Sequence, residues 1–172
     1  MAHGSHAGQL YPGRWFLIAD RCFPVSWGQK SGILIAMNHP AGFNEIHHTA
    51  DWEIEVWAPD LPGLFEQAAI GMYALSGTHL YSEPRISRTL ELTAEDAEGL
   101  LVKFLAELLY LSEQYGLAFD VFELQIDTGS LRGRLLGAPM TEQTKEIKAV
   151  TYHKLAIQPG PRGLEARIVF DV

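Results

Sequence analysis

Between Asp51 and Val56 polar and apolar side chains alternate without a break: Asp51, Glu53 and Glu55 fall on one side, Trp52, Ile54 and Val56 on the other. A two-residue period is that of a strand with one wet and one dry face. It narrows the choice of fold, because such a strand must lay its dry face on other elements and find neighbours for its backbone hydrogen bonds. Just ahead of it, within Phe43-Asn44-Glu45-Ile46-His47-His48-Thr49-Ala50-Asp51, sit two imidazoles, a hydroxyl and a carboxylate. The last residues, Phe170-Asp171-Val172, supply a second carboxylate and, at Val172, a main-chain one. The expectation is that these two places meet.

The rest of the chain supplies what the strand needs. Asp60 precedes Leu61-Pro62 and an apolar series at Leu64, Phe65, Ala68, Ala69 and Met72, which predicts an amphipathic helix capped by Asp60 and ending near Ser76-Gly77. Ile86 to Leu92 reads as extended. Thr93-Ala94-Glu95-Asp96 predicts the start of a second helix with Thr93 as its cap, and Leu100, Leu101, Phe104, Leu105, Leu108, Leu109 and Leu111 give it a wide apolar face. From Phe119 the period returns to two, with a hairpin at Asp127-Thr128-Gly129-Ser130, a long strand from Ile147 to Ile157, a turn at Pro159-Gly160-Pro161-Arg162-Gly163, and a last strand bearing Leu164, Ala166, Ile168 and Phe170. In that long strand His153 falls on the apolar side and reads as a core histidine. The fold class expected is α+β, with two long helices packed on a largely antiparallel sheet of about six strands.

Residues 1–42 show no sustained period and read as an N-terminal extension, leaving 43–172 as the domain; a start at Met37 gives a compact chain. Cys22, the only cysteine, lies in that unpatterned part, so neither an internal disulfide nor a cysteine-rich zinc site is available, which fits a reducing compartment. A net charge of -8 argues against direct binding of nucleic acid, which needs a basic face, and suits a basic protein partner or a cation. No apolar run approaches the roughly 20 residues of a membrane helix, so a cytoplasmic protein without a membrane role is expected. The glycines at Gly71, Gly77 and Gly99 lack the spacing of a phosphate loop.

If the first and last strands are neighbours, the carboxylates of Asp51, Asp171 and Val172 converge. Such an all-oxygen set suits calcium or magnesium better than zinc. Spacing alone favours the plainer reading, in which Asp51 caps a turn and Asp171 is a solvated strand end. Adjacent His47 and His48 face opposite sides of a strand and cannot share one metal, and His48 is the better functional candidate of the two. Lys148, between apolar residues, is a solvated lysine by default.

Five segments taken together resemble the archease family: Glu45-Ile46-His47-His48-Thr49-Ala50-Asp51, Leu64 to Met72, Leu101 to Leu111, Glu146 to His153, and Ile168-Val169-Phe170-Asp171-Val172. The resemblance runs in order from Phe43 to the last residue. It implies a small α+β protein that assists an RNA-splicing ligase of the RtcB type, which joins RNA ends using GTP and manganese through a guanylylated histidine. Archease-like proteins promote that guanylylation and allow repeated turnover without catalysing ligation. The resemblance also implies a divalent-cation site at Asp51, Asp171 and the terminus at Val172, calcium being expected and magnesium or manganese compatible. It makes Lys148 a candidate for contacting the partner's active site or its nucleotide, and His48, singled out above from the residues, is the other contact candidate. The alternative role is a chaperone-like modulator of RNA-modifying enzymes such as methyltransferases. A free-standing metal-dependent hydrolase, with His48 as base, is a more distant one.

Overall fold

The computed structural model describes residues 40–47 and 52–172, all within one compact unit spanning Met37–Val172. His48, Thr49, Ala50 and Asp51 lie outside the described residues, as do residues 1–39 with Cys22. Among the described residues the order of elements is β1 (Gly42–His47), β2 (Trp52–Ala58), α1 (Leu61–Leu75), β3 (His79–Leu80), β4 (Ile86–Thr93), α2 (Ala97–Tyr115), β5 (Leu117–Asp127), β6 (Ser130–Glu142), β7 (Ala149–Thr151), β8 (Gln158–Gly160) and β9 (Gly163–Asp171).

The expected α+β class forms, with its strands divided between two antiparallel sheets. In the first, β1 pairs with β2, β2 with β9, and the far edge of β9 carries both β7 and β8. In the second, the long β6 pairs with β3, β4 and β5. Each helix touches both sheets: α1 packs on β1, β2 and β9 and reaches β5, while α2 packs on β4, β5 and β6 and reaches β7. The dry faces of the two sheets therefore share one core. The rings of Phe65 and Phe104 stand 5.6 Å apart between the helices, and Phe104 meets Phe122 of β5 edge-on at 6.1 Å. Gly71 lets α1 lie close on the first sheet, since a Cβ there would come within 2.9 Å of Ile54 and 3.1 Å of the Phe43 ring.

The alternation that begins at Asp51 is seen in β2, where Ile54, Val56 and Ala58 are wholly buried. Asp60 caps α1 as expected, its Oδ1 accepting from Gly63 N–H at 2.9 Å. The start of α2 differs from expectation. Thr93 is the last residue of β4, paired with Ser130, and the cap is Asp96, whose Oδ1 accepts from Gly99 N–H at 2.7 Å. A residue held in a ladder has no freedom to cap, and the next oxygen-bearing side chain of suitable position takes over.

The run Ile147 to Ile157 is not one strand. A continuous strand in the register of β7, which sets Ala149 against Asp171, would place Gln158 opposite Arg162; β8 places it opposite Glu165. The surplus residues form a turn in which Lys154 takes a positive φ of 57° and Leu155 N–H bonds Tyr152 O at 3.2 Å. Glu98, in the first turn of α2, secures this turn by accepting from Ile157 N–H at 2.9 Å. His153 sits in that turn, exposed, and is not a core residue.

Candidate functional site

The strand bearing Trp52 and the strand bearing Phe170 are neighbours, and these two residues are Cα partners in an antiparallel register. The chain thus enters β2 at the same end of the first sheet at which it leaves β9. On the other side of β9, Val150 pairs with Phe170 and Ala149 with Asp171, and the Lys148 N–H donates to the Asp171 carbonyl oxygen at 2.8 Å. Phe170 is 1% exposed and anchors the strand in the core; the alternation of the strand turns the next residue, Asp171, outward. Asp171, Val172 and Lys148 are all exposed and are brought together at this sheet end. Of the remaining candidates, His48 and Asp51 lie outside the described residues. Among the described residues no group of three or more His, Cys, Asp or Glu side chains is placed to hold a metal ion.

The connection from β6 to β7 closes over this end. The carbonyl oxygen of Ser76, at the end of α1, accepts from the backbone N–H of both Thr144 and Lys145 at 3.1 Å and from Thr144 Oγ1 at 3.2 Å. Those are carbonyl valences a helix terminus leaves free. Gly77 makes the approach feasible: its φ is +63°, and a Cβ would fall 2.1 Å from Thr144 Oγ1. Lys145 then reaches over the Trp52 indole, with Nζ 4.5 Å from the ring centroid, while Ile147 is buried between the two exposed lysines, 145 and 148. Lys145 is a charged neighbour that sequence reasoning missed. No local pattern announces it, because the contact depends on where the loop is pinned.

The outward row of the first sheet carries its own charges. Arg162 lies 4.1 Å over the Trp57 ring, with Nη2 3.0 Å from Glu55 and Nε 2.9 Å from Glu165. The hydrogen bond from Arg162 holds the Glu165 carboxyl below its usual range, and the same bond raises the Arg162 guanidinium. Glu53 is 3% exposed although it lies on the polar side of the alternation, with Arg167 Nη1 3.9 Å away; Arg167 also approaches Glu55 at 3.8 Å. Two arginines thus answer Glu53, Glu55 and Glu165. None of the described residues forms an ion pair with the side chain of Asp171.

Residues 43–172 match the model of the Archease protein family. The chain is similar to the protein archease of Methanothermobacter thermautotrophicus, at 31% identity over 138 residues that cover 76% of this chain and 99% of that protein. It is similar also to the protein archease of Pyrococcus furiosus, at 34% over 134 residues, covering 73% and 94%. Among solved structures, a Methanobacterium thermoautotrophicum protein studied in solution superposes with a TM-score of 0.60 and 27% identity, over 76% of this chain and 99% of that one. The crystal structure of an archease from Thermotoga maritima, described as a possible chaperone, shares the fold with a TM-score of 0.55 at 23% identity, covering 74% and 94%.

Proposed function

The chain belongs to the archease family, and on that premise we propose that it is an accessory protein of an RtcB-type RNA-splicing ligase. It promotes GTP-dependent guanylylation and repeated turnover of the ligase without catalysing ligation itself. The observation that carries this reading is the pairing of Trp52 with Phe170. In sequence, Asp51 immediately precedes Trp52 and Asp171 immediately follows Phe170. With an oxygen of Val172 they would make an oxygen-only ligand set, suited to a hard divalent cation, calcium first and magnesium or manganese next. The exposed Asp171 carboxylate, which no described cation neutralises, fits such a ligand.

Guanylylation joins a histidine nucleophile to a triphosphate, so it depends on orientation and on neutralising phosphate charge. In the proposed role this sheet end docks at the basic nucleotide entrance of the ligase. The exposed Lys148, fixed by its backbone bond to Asp171, is offered to the partner's active site or nucleotide, and His48 is a second contact. The test is transfer of radiolabelled GTP to a cognate ligase with and without the protein. Asp51→Ala and Asp171→Ala are expected to keep the melting curve and lose the stimulation. Full stimulation by either variant removes the cation from the account.

A second reading, the chaperone-like modulator of RNA-modifying enzymes, draws on the exposed rings of Tyr81, Tyr110, Tyr115 and Tyr152. It predicts suppression of methyltransferase aggregation that is indifferent to Asp171→Ala.

A further inference from the structure

The C-terminal end of α2 has three features that point the same way. Tyr110 and Tyr115 are 47% and 59% exposed, yet their rings are ordered against each other, edge to face, with centroids 6.2 Å apart. Their faces are electron-rich and, in this arrangement, partly free. The helix ends here with unpaired carbonyls and the negative pole of its dipole, and its last turn carries no basic residue. Lys103, its sole lysine, is turned to the other end, donating to Thr93 O at 2.6 Å. Exposed Glu113 adds a full negative charge, and the influence of Glu107 reaches Tyr110, raising its hydroxyl together with the larger effect of Tyr115. Arg85 is already committed to the carboxylate of Asp120, with which it makes two hydrogen bonds.

We infer that Tyr110, Tyr115 and Glu113 form a docking platform for an arginine- or lysine-bearing segment of a partner protein. A cation seated on the rings gains the ring quadrupole and the helix pole at once; Glu113, three residues on from Tyr110, adds to the negative charge of the same turn, and no cation of this chain's own last turn occupies the place. An electroneutral apolar occupant would gain only the rings. Charge decides between them in favour of the basic segment, in keeping with a net charge of -8. The platform is linked to the strand pairing of Asp171 through β6 and the connection that follows it. Met140 N–H bonds Gly116 O at 2.7 Å just beyond Tyr115, and β6 runs on from Met140 into the connection that ends at Lys148. The platform itself does not depend on the cation or on the ligase.

The test uses the full chain and the peptide acetyl-Gly-Arg-Gly-Arg-Gly-amide, with its glutamate counterpart as control, followed by NMR at low salt. The expected result is saturable shifts centred on the ring resonances of Tyr110 and Tyr115 and on Glu113, with no response to the glutamate peptide. The double variant Tyr110→Ala/Tyr115→Ala is expected to weaken binding about tenfold, Glu113→Lys to weaken it further than added salt does, and Tyr110→Phe/Tyr115→Phe to retain it. Shifts spread evenly over acidic residues, binding unchanged in the alanine double variant, or concentration-dependent self-association through these tyrosines would each overturn the proposal.

Discussion

Arg162 shows how much a single side chain can organise when it is planar and surrounded. One face covers Trp57 and the edge serves Glu55 and Glu165, so Arg162→Ala is expected to cost about 1 kcal/mol, read from the urea midpoint. The pH dependence has a definite sign. The folded state holds Glu165 below the ordinary glutamate value of about 4.3, so its contribution is fully present above that value and is lost as pH falls through the lower, folded one. The difference in melting temperature between the native chain and Glu165→Gln is expected to be constant from neutrality down to about pH 5 and to shrink below about pH 4. Tyr73 is the opposite case. Its hydroxyl is buried near Ser112 and the backbone of Phe119, which tend to lower its pKa against the larger upward push of burial, yet it makes no hydrogen bond of ordinary geometry. Tyr73→Phe is therefore expected to be neutral or slightly stabilising in urea unfolding, and a loss above about 1 kcal/mol would show that the hydroxyl is satisfied. At this scale the sequence was informative about which residues alternate and silent about their partners. Glu53 and Glu55 were legible as one side of a strand, but the burial of Glu53 and the arginines that meet this row come from β9 and its preceding turn.

Elements were read best where period and punctuation agreed. α1 begins at its capping aspartate and stops at its glycine, and Thr128-Gly129 joins β5 to β6 with Gly129 at a φ of 71°. They were read worst where one pattern served two structures. The alternation from Ile147 to Ile157 continues through a turn, because β9 offers its edge in two registers and the residues between must leave the ladder. β1 carried no recognisable period; it is legible only as the hairpin partner of β2, with Phe43 opposite Val56. Two substitutions separate capping from close packing. Asp96→Ala removes the acceptor for Gly99 N–H and is expected to cost about 1 kcal/mol. Gly137→Ala places a Cβ 1.9 Å from Ala118 O beside the irregularity at Phe119 to Val121, and is expected to cost about 3 kcal/mol and to loosen β5 from β6, seen as faster amide exchange in both strands.

At the scale of the molecule the candidate site divides into a part that topology explains and a part that only resemblance suggested. The pairing of β7 with β9 brings Lys148 to the sheet end where Asp171 and Val172 lie, whereas the metal role given to Asp51 rests on the family likeness, and Asp51 and His48 both lie outside the described residues. Charge acts at this scale too. If the proposed ligase is the partner, this acidic chain is expected to associate with it more slowly as salt rises, by roughly tenfold between 50 and 300 mM, in stopped-flow measurements, and a flat salt profile would argue against a charge-steered encounter. The place of β9 has a last consequence. It is an inner strand of its sheet, pairing with β2, β7 and β8, yet it emerges from the ribosome after every other described strand. A nascent chain halted at Gly160 already holds the whole second sheet, whereas its β1–β2 hairpin lacks an inner neighbour and β7 and β8 have nothing to pair with. Vectorial synthesis therefore closes the first sheet only when β9 emerges, and a holding chaperone would find its natural client in that half-zipped intermediate.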